Sequence, residues 1–400
     1  MRYRQEIQVP FRYDVVFTRD LFARGNDTIS QTVPSGQAPA RAAVVIDRGV
    51  LERWPDLPAR IARWTDAHPE VLRLDEPPVE LPGGEEAKND PGLIDRLTRT
   101  FGRLELCRHS YVMAIGGGAV LDAAGFAAAL FHRGLRLLRV PTTVLSQSDS
   151  AVGVKNAVNF DGVKNLIGTF APPFAVLNDA LFLEKLDQRD WTSGLSESFK
   201  VAAIKDAALI DELEGLADRL VARDLNAMER VVKRCAVLHL DHIRGGGDPF
   251  ELGTARPLDF GHWSAHKLES LSHHDVRHGE AVAIGVALDL HAASRLGRLS
   301  SADRDRVCTA MERCGIRLWH PLIADRDGRG ELRILAGLEE FRQHLGGRLT
   351  LTIPDGLGRK TEIHDLPPAI VEEAVTWLSR RSGAPGRSTV SSPEPSLPQG

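Results

Sequence analysis

The 400-residue sequence has no apolar run of the roughly 18 residues that a membrane helix needs; the stretch AAGFAAALF soon meets His132 and Arg133. No membrane partner is therefore expected. Cysteine is scarce, and Cys107, Cys235, Cys308 and Cys314 form neither a CxxC pair nor a disulfide-like framework, which points to free or buried thiols in a reducing compartment. Excess positive charge is also missing. A formal net charge of -4 gives no basic footprint for nucleic acid. The opening MRYRQEIQVPFRYDVVF lacks the apolar core of a signal peptide, so a cytoplasmic protein is expected. What remains is an ordinary globular composition, 42% hydrophobic and 26% charged, in a chain long enough for two domains and a sizeable core.

Along the first half, strand-like and helix-like patches alternate. AAVVIDRGV (42–50) reads as a buried strand carrying Asp47 near its end, GLIDRLTRTFGRLEL as a helix, and SYVMAIGGG as a second strand running into glycines. AVLDAAGFAAALFHRG is a small-residue helix and LRLLRVPTT a third strand. Such alternation argues for a parallel α/β layer over residues 1–185. From about Leu186 long amphipathic patterns take over, including AALIDELEGLADRLVARDLNAMERVVKRCAVLHLDHI and GEAVAIGVALDLHAASRLG, with one later strand-like piece, RLTLTIP (348–354). This predicts a mainly helical domain over 186–381. The segment 382–400, rich in Ser, Pro and Gly, reads as a disordered tail.

Two constellations could carry chemistry. AIGGGAVLDAAG puts three glycines between a strand and a helix, where backbone amides can approach a phosphate. The run lacks GxGxxG spacing and serves a tight strand–helix turn equally well. Asp47 at a strand end and GGEEAK, with Glu85 and Lys88, favour a nucleotide cofactor. In the second half, SGLSESFK sets Glu197 and Lys200 three apart, DFGHWSAHKLE sets His262 and His266 four apart, and RHGEAV brings His278 to the start of another helix. A carboxylate and imidazoles from separate helices suit a zinc ion with an open position. A packed core histidine at 266 and an exposed Glu197–Lys200 ion pair are the duller alternatives.

The ordered series GGGAVLDAAGF, HRG, VPTTVLSQSDSAVGVK, GVKNLIG, SGLSESFK, FGHWSAH and HGEAV, over roughly residues 40–355, resembles the sugar phosphate cyclase superfamily, whose best-known member is 3-dehydroquinate synthase. The resemblance implies an α/β N-terminal dinucleotide-binding domain plus a mainly α-helical C-terminal metal-binding domain, with one NAD, one Zn2+ (or Co2+) and a homodimer. Carried over by motif, the metal ligands are Glu197, His262 and His278. NAD contacts fall on Asp47, Glu85, Lys88, Gly117, Gly118, Asp122, Thr142 and Thr143, with Lys155 and Lys164 shared between cofactor and substrate. Asp149, Lys200, Asn165 and His266 meet the sugar phosphate, Lys155 and Asn165 facing its phosphate, and Arg133 reaches across the dimer. In this superfamily NAD oxidises a ring hydroxyl, phosphate is eliminated, the hydride returns, and ring opening with an aldol closure gives a carbocycle.

The chain departs from 3-dehydroquinate synthase where that enzyme binds a substrate carboxylate. Its lysine is replaced by His239, and its arginine position is Ala255, with Arg256 one residue later and Pro257 after it. A buried carboxylate without its charged partner costs about 3–5 kcal/mol. Asp259 adds an acid where an asparagine is usual, and EEFRQHLGGRLTLTIP replaces an Asp-Lys-Lys turn. These features resemble the sedoheptulose 7-phosphate cyclases, which make valiolone-type cyclitols. His266 stands where 2-epi-5-epi-valiolone synthases carry proline, which leaves a 2-epi-valiolone product open. The alternatives are 3-dehydroquinate synthase, a cyclase for another sugar phosphate, and a metal-dependent alcohol dehydrogenase of the iron-containing type.

Overall fold

Eleven strands are present among the described residues of the computed structural model, which are 1–34, 36, 38–246, 250, 257–344 and 347–383. They are β1 Asp14–Thr18, β2 Ala40–Asp47, β3 Leu72–Leu74, β4 Val79–Leu81, β5 Tyr111–Gly116, β6 Arg136–Pro141, β7 Lys155–Phe160, β8 Val163–Phe170, β9 Ala175–Asp179, β10 Leu351–Pro354 and β11 Lys360–Ile363. Seven form one parallel sheet in the order β1-β9-β6-β5-β2-β3, with β4 also pairing β2. Because side chains alternate along a strand, Val44 and Ile46 enter one apolar core while Ala43 and Val45 enter the other. Burial on both faces explains why these strands read as continuous apolar runs.

The strand expected over 42–50 stops at Asp47. Its carboxylate caps the next helix, Arg48–Arg53, by accepting the Gly49 N–H at 2.8 Å, so the chain turns there. β7 and β8 form a separate antiparallel hairpin packed against the helix Gly118–Leu130, in a segment where the sequence pattern indicates no strand. Asp161 and Gly162 make its two-residue turn, both with positive φ (50° and 75°), as a tight hairpin requires.

Beyond Gln188 helices dominate: Gln188–Ser193, Leu195–Lys205, Ala207–Val221, Leu225–Gly245, His262–Leu271, His278–Arg295, Ser301–Arg313, Ala336–His344 and Pro368–Arg381. They share a third apolar core. The helix His278–Arg295 differs from its expected amphipathic character, since every residue from Ala281 to Ala293 is buried. It is the central rod, contacted by the helices Leu195–Lys205, His262–Leu271, Ser301–Arg313 and Pro368–Arg381. Gly261, at φ 80°, starts the helix His262–Leu271 so close to that rod that a side chain on Gly285 would put its Cβ 2.0 Å from the Gly261 carbonyl oxygen. Among the described residues no helix is long and apolar enough to cross a membrane. Of the expected tail 382–400, only Ser382 and Gly383 are described; Ala255 and Arg256 also lie outside the described residues.

Candidate active site

The chain runs from β2 outward to β3 and β4, then returns to lay β5 on the other side of β2. Ligands of open parallel sheets bind at such a reversal, beyond the carboxyl ends of the strands. Asp47 ends β2 and Gly116 ends β5, so both border this crevice. Asp47 Oδ2 takes the Gly117 N–H at 3.5 Å, and a Cβ on Gly83 would lie 2.7 Å from Asp47 Oδ1, so glycine is needed for the close approach. Burial pushes the Asp47 carboxyl above its ordinary range, against the backbone donors Gly49 and Gly117. Gly117 caps the 13-residue helix that begins at Gly118, whose amino terminus is suited to a phosphate.

The other expected cofactor residues surround this crevice. Thr142 N–H bonds the Gly116 carbonyl at 3.0 Å, and Thr143 Oγ1 lies 2.8 Å from Ser146 Oγ. Lys88 is buried and pairs with Asp122 at 2.7 Å. Glu85 receives Lys164 at 3.0 Å and Asn159 at 2.8 Å.

Across from the crevice, Glu197, His262 and His278 each offer one ligand atom, all within 4.8 Å of one another. Glu197 is fully buried; the Lys200 ammonium lies against Oε2, while Oε1 has no hydrogen-bond partner. His262 Nδ1 donates to the Phe260 carbonyl at 3.2 Å, which leaves Nε2 as the acceptor. Burial, then the Lys200 charge, holds the His262 imidazole well below its usual range and so neutral. His278 Nδ1 is 3.2 Å from Glu269 and its Nε2 is 3.9 Å from Glu197 Oε1. A buried carboxylate with one oxygen left open, and two imidazoles oriented through their second nitrogens, fit a divalent cation.

Two overlapping triads, His266–Glu269–His278 and Asp149–Glu197–His239, fit less well. Glu269 is already engaged by Lys164 and His278, and Asp149 by His239 and Lys200. Asp149 Oδ1 is 3.3 Å from His239 Nε2 and Oδ2 is 3.8 Å from Lys200. Burial opposes ionisation of Asp149, but His239 and Lys200 outweigh it and hold the carboxyl below its usual range. Burial likewise opposes charge on Lys200, and Glu197 and Asp149 outweigh it; Asp259 adds to the same effect. His266 lies beside the triad, its ring centroid 5.4 Å from that of His262 and 6.0 Å from that of His278.

The structure therefore gathers Asp149, Glu197, Lys200, His262, His266 and His278, with Asp259 at its margin. Lys155 is exposed at the start of β7, yet its charge still reaches Asp149. Asn165 is exposed on β8 at φ 53°; among the described residues no contact links its side chain to the cluster, and its N–H bonds Asn159 at 2.9 Å. Arg133, also at positive φ, is exposed at the surface.

Two residues outside the expected set organise this site. Glu269, three residues after His266 and seven after His262, lies on the same helical face as both, a spacing visible in the sequence. Arg139 is fully buried and donates to the carbonyls of Ala151, Gly153 and Lys155 and to Asn156 Oδ1 at 2.7–2.9 Å, pinning the loop between Asp149 and β7. Its place in an apolar strand carries no sequence signal for that task.

Residues 78–193 match the 3-dehydroquinate synthase N-terminal family and residues 194–329 the 3-dehydroquinate synthase C-terminal family. The chain belongs to the 3-dehydroquinate synthase family. Within this family it is 32% identical over 381 residues to a 2-epi-5-epi-valiolone synthase of an Actinoplanes species, covering 93% of this chain and 92% of that one. Among solved structures, it resembles the 2-epi-5-epi-valiolone synthase of Streptomyces hygroscopicus subsp. jinggangensis with NAD+ and Zn2+ bound, at TM-score 0.83 and 29% identity, covering 95% of this chain and all of that one (100%). A 2-deoxy-scyllo-inosose synthase complexed with carbaglucose-6-phosphate, NAD+ and Co2+ shares the fold at TM-score 0.73 and 22% identity, over 91% of this chain and 96% of that one.

Proposed function

We propose that the chain is an NAD-dependent sugar phosphate cyclase that converts sedoheptulose 7-phosphate to a valiolone-type C7 cyclitol, 2-epi-valiolone or 2-epi-5-epi-valiolone, with release of phosphate. It is thus a carbon–oxygen lyase acting on a phosphate ester. The observation that carries the substrate reading is His239: where a carboxylate-binding lysine would serve 3-dehydroquinate synthase, this chain has an imidazole engaged with Asp149. Likeness to a 2-epi-5-epi-valiolone synthase over 93% of the chain supports the same reading.

NAD+ in the β2–β5 crevice would supply reversible hydride transfer, and Zn2+ or Co2+ on Glu197, His262 and His278 would supply Lewis acidity. Asp47 and Glu85 offer carboxylates to ribose hydroxyls, and Gly117 and Gly118 open the helix amino terminus to the pyrophosphate. Lys88, Asp122, Thr142, Thr143 and Lys164 complete that pocket. Asp149, ionised between His239 and Lys200, accepts a hydrogen bond from a sugar hydroxyl, while Lys200 holds its proton and donates. Lys155 and Asn165 reach the departing phosphate, and His266 and Asp259 border the ring. The main work of these residues is to hold one substrate through several steps.

The exposed apolar side chains Phe160, Val163, Leu166, Ile167 and Phe170 on the β7–β8 hairpin favour a homodimer, with Arg133 facing the second copy. The four free cysteines, three of them buried, favour the cytoplasm. Phosphate release by the purified chain with NAD+ and Zn2+ tests the substrate. Sedoheptulose 7-phosphate should be turned over, and the substrate of 3-dehydroquinate synthase should not; the reverse pattern would overturn the assignment.

A further inference from the structure

A line of contacts leads from the candidate metal centre to the cofactor crevice. His278 Nδ1 is 3.2 Å from Glu269 Oε2. The other oxygen of Glu269 takes Lys164 Nζ at 2.6 Å, and the same ammonium reaches Glu85 Oε1 at 3.0 Å. Glu85 Oε2 in turn accepts from Asn159, whose Oδ1 takes the Asn165 N–H. Glu269 belongs to the helix that carries His262 and His266, whereas Lys164 stands on the β7–β8 hairpin and Glu85 in the turn after β4. One ammonium between two carboxylates therefore bridges the helical half to the sheet half.

The burial along this line is uneven, which indicates what each part does. The Glu269 side chain is 3% exposed, and those of Lys164 and Glu85 are 24% and 32% exposed. Glu269 is thus fixed between two partners, each of its oxygens committed to one of them. A carboxylate on the second nitrogen of a metal-binding imidazole fixes the ring and its tautomer. Lys164 balances the buried Glu269 charge, and Glu85 holds Lys164 from the crevice side. Burial opposes charge on Lys164, and Glu269 and Glu85 outweigh it.

We propose that Glu269 is a positioning residue for His278, and that Lys164 ties it to Glu85 so that filling the cofactor crevice strengthens cation binding. The inference rests on the reading that these two sites take NAD+ and a divalent metal. A ligand that fixes Glu85 removes freedom from Lys164 and hence from Glu269, so the metal ligand is ordered before the cation arrives. Linkage makes the effect reciprocal: the cation must strengthen NAD+ binding by the same factor.

The test uses the full chain freed of metal and nucleotide. Zn2+ affinity is measured by chelator competition with and without saturating NAD+, and NAD+ affinity by calorimetry with and without Zn2+. The two factors should agree and lie in the range of about 5–150-fold. Lys164→Met should bring both factors close to one while retaining Zn2+ binding. Glu269→Gln, nearly isosteric, should weaken Zn2+ binding itself by about 10–100-fold. Thermal melts of both variants check that they remain folded. Wild-type factors near one, or unchanged factors in Lys164→Met, overturn the tie. Unchanged Zn2+ affinity in folded Glu269→Gln overturns the positioning role. A wild-type chain that binds neither ligand overturns the proposed function instead.

Discussion

His239 Nε2 lies 3.3 Å from Asp149 Oδ1, joining a long helix of the helical half to an irregular helical turn that follows β6. His239 Nδ1 is 2.9 Å from the Cys235 carbonyl, so the ring is anchored by its own helix and directed at the carboxylate. With Lys200 on the other oxygen, Asp149 is held from two sides.

This arrangement predicts the effect of removing the imidazole. His239→Ala should lower kcat/KM for sedoheptulose 7-phosphate by about 10–100-fold, corresponding to about 1–3 kcal/mol for a buried polar partner left unmatched. Asp149→Asn should cost at least as much. An unchanged kcat/KM in phosphate-release kinetics would remove His239 from the site.

Metal binding should depend on the one carboxylate of the triad. Glu197→Ala should lose bound Zn2+, as read by elemental analysis after dialysis, while a melt shows the fold retained. Stoichiometric metal in this variant would place the cation elsewhere.

A pH effect is expected well away from the triad. Burial, together with the nearby Arg304 charge, holds the His291 imidazole down at about 4, from an ordinary 6.5. The folded state thus prefers the neutral ring. Its contribution is present above about pH 6.5 and is lost as pH falls through about 4; after solvent screening it amounts to about 1–2 kcal/mol. His291→Leu should therefore show a shallower loss of stability across that window in denaturant titrations. Parallel curves for variant and wild type would contradict this.

The apolar hairpin predicts assembly. The 43.8 kDa chain should sediment as a dimer, and Leu166→Asp with Ile167→Asp should favour monomers. A monomeric wild type would leave the apolar hairpin unexplained.

Much of the site is legible in the sequence because helical spacing is local. His262 and His266 fall on one face, Glu197 and Lys200 on another, and His278 opens its helix. The parallel strands are legible because both of their faces are apolar. The β7–β8 hairpin is not, since its side chains are mostly exposed or half-buried and its register shifts between Val158 and Phe160. Arg139 escapes notice for a different reason: a buried arginine is justified only by carbonyls 12 to 16 residues later, which strand periodicity does not encode. Glu269 has the right spacing, but only the fold reveals that Lys164 and His278 meet it.

Oxidation of the sugar is expected to be transient, with the cofactor returned unchanged. Its most direct test is to incubate the Zn2+-loaded chain with sedoheptulose 7-phosphate and a small amount of NAD+, measuring phosphate and NADH together. Many phosphates should be released per NAD+ without NADH accumulation. One NADH formed per sugar consumed, with the phosphate ester intact, would identify a dehydrogenase and contradict it.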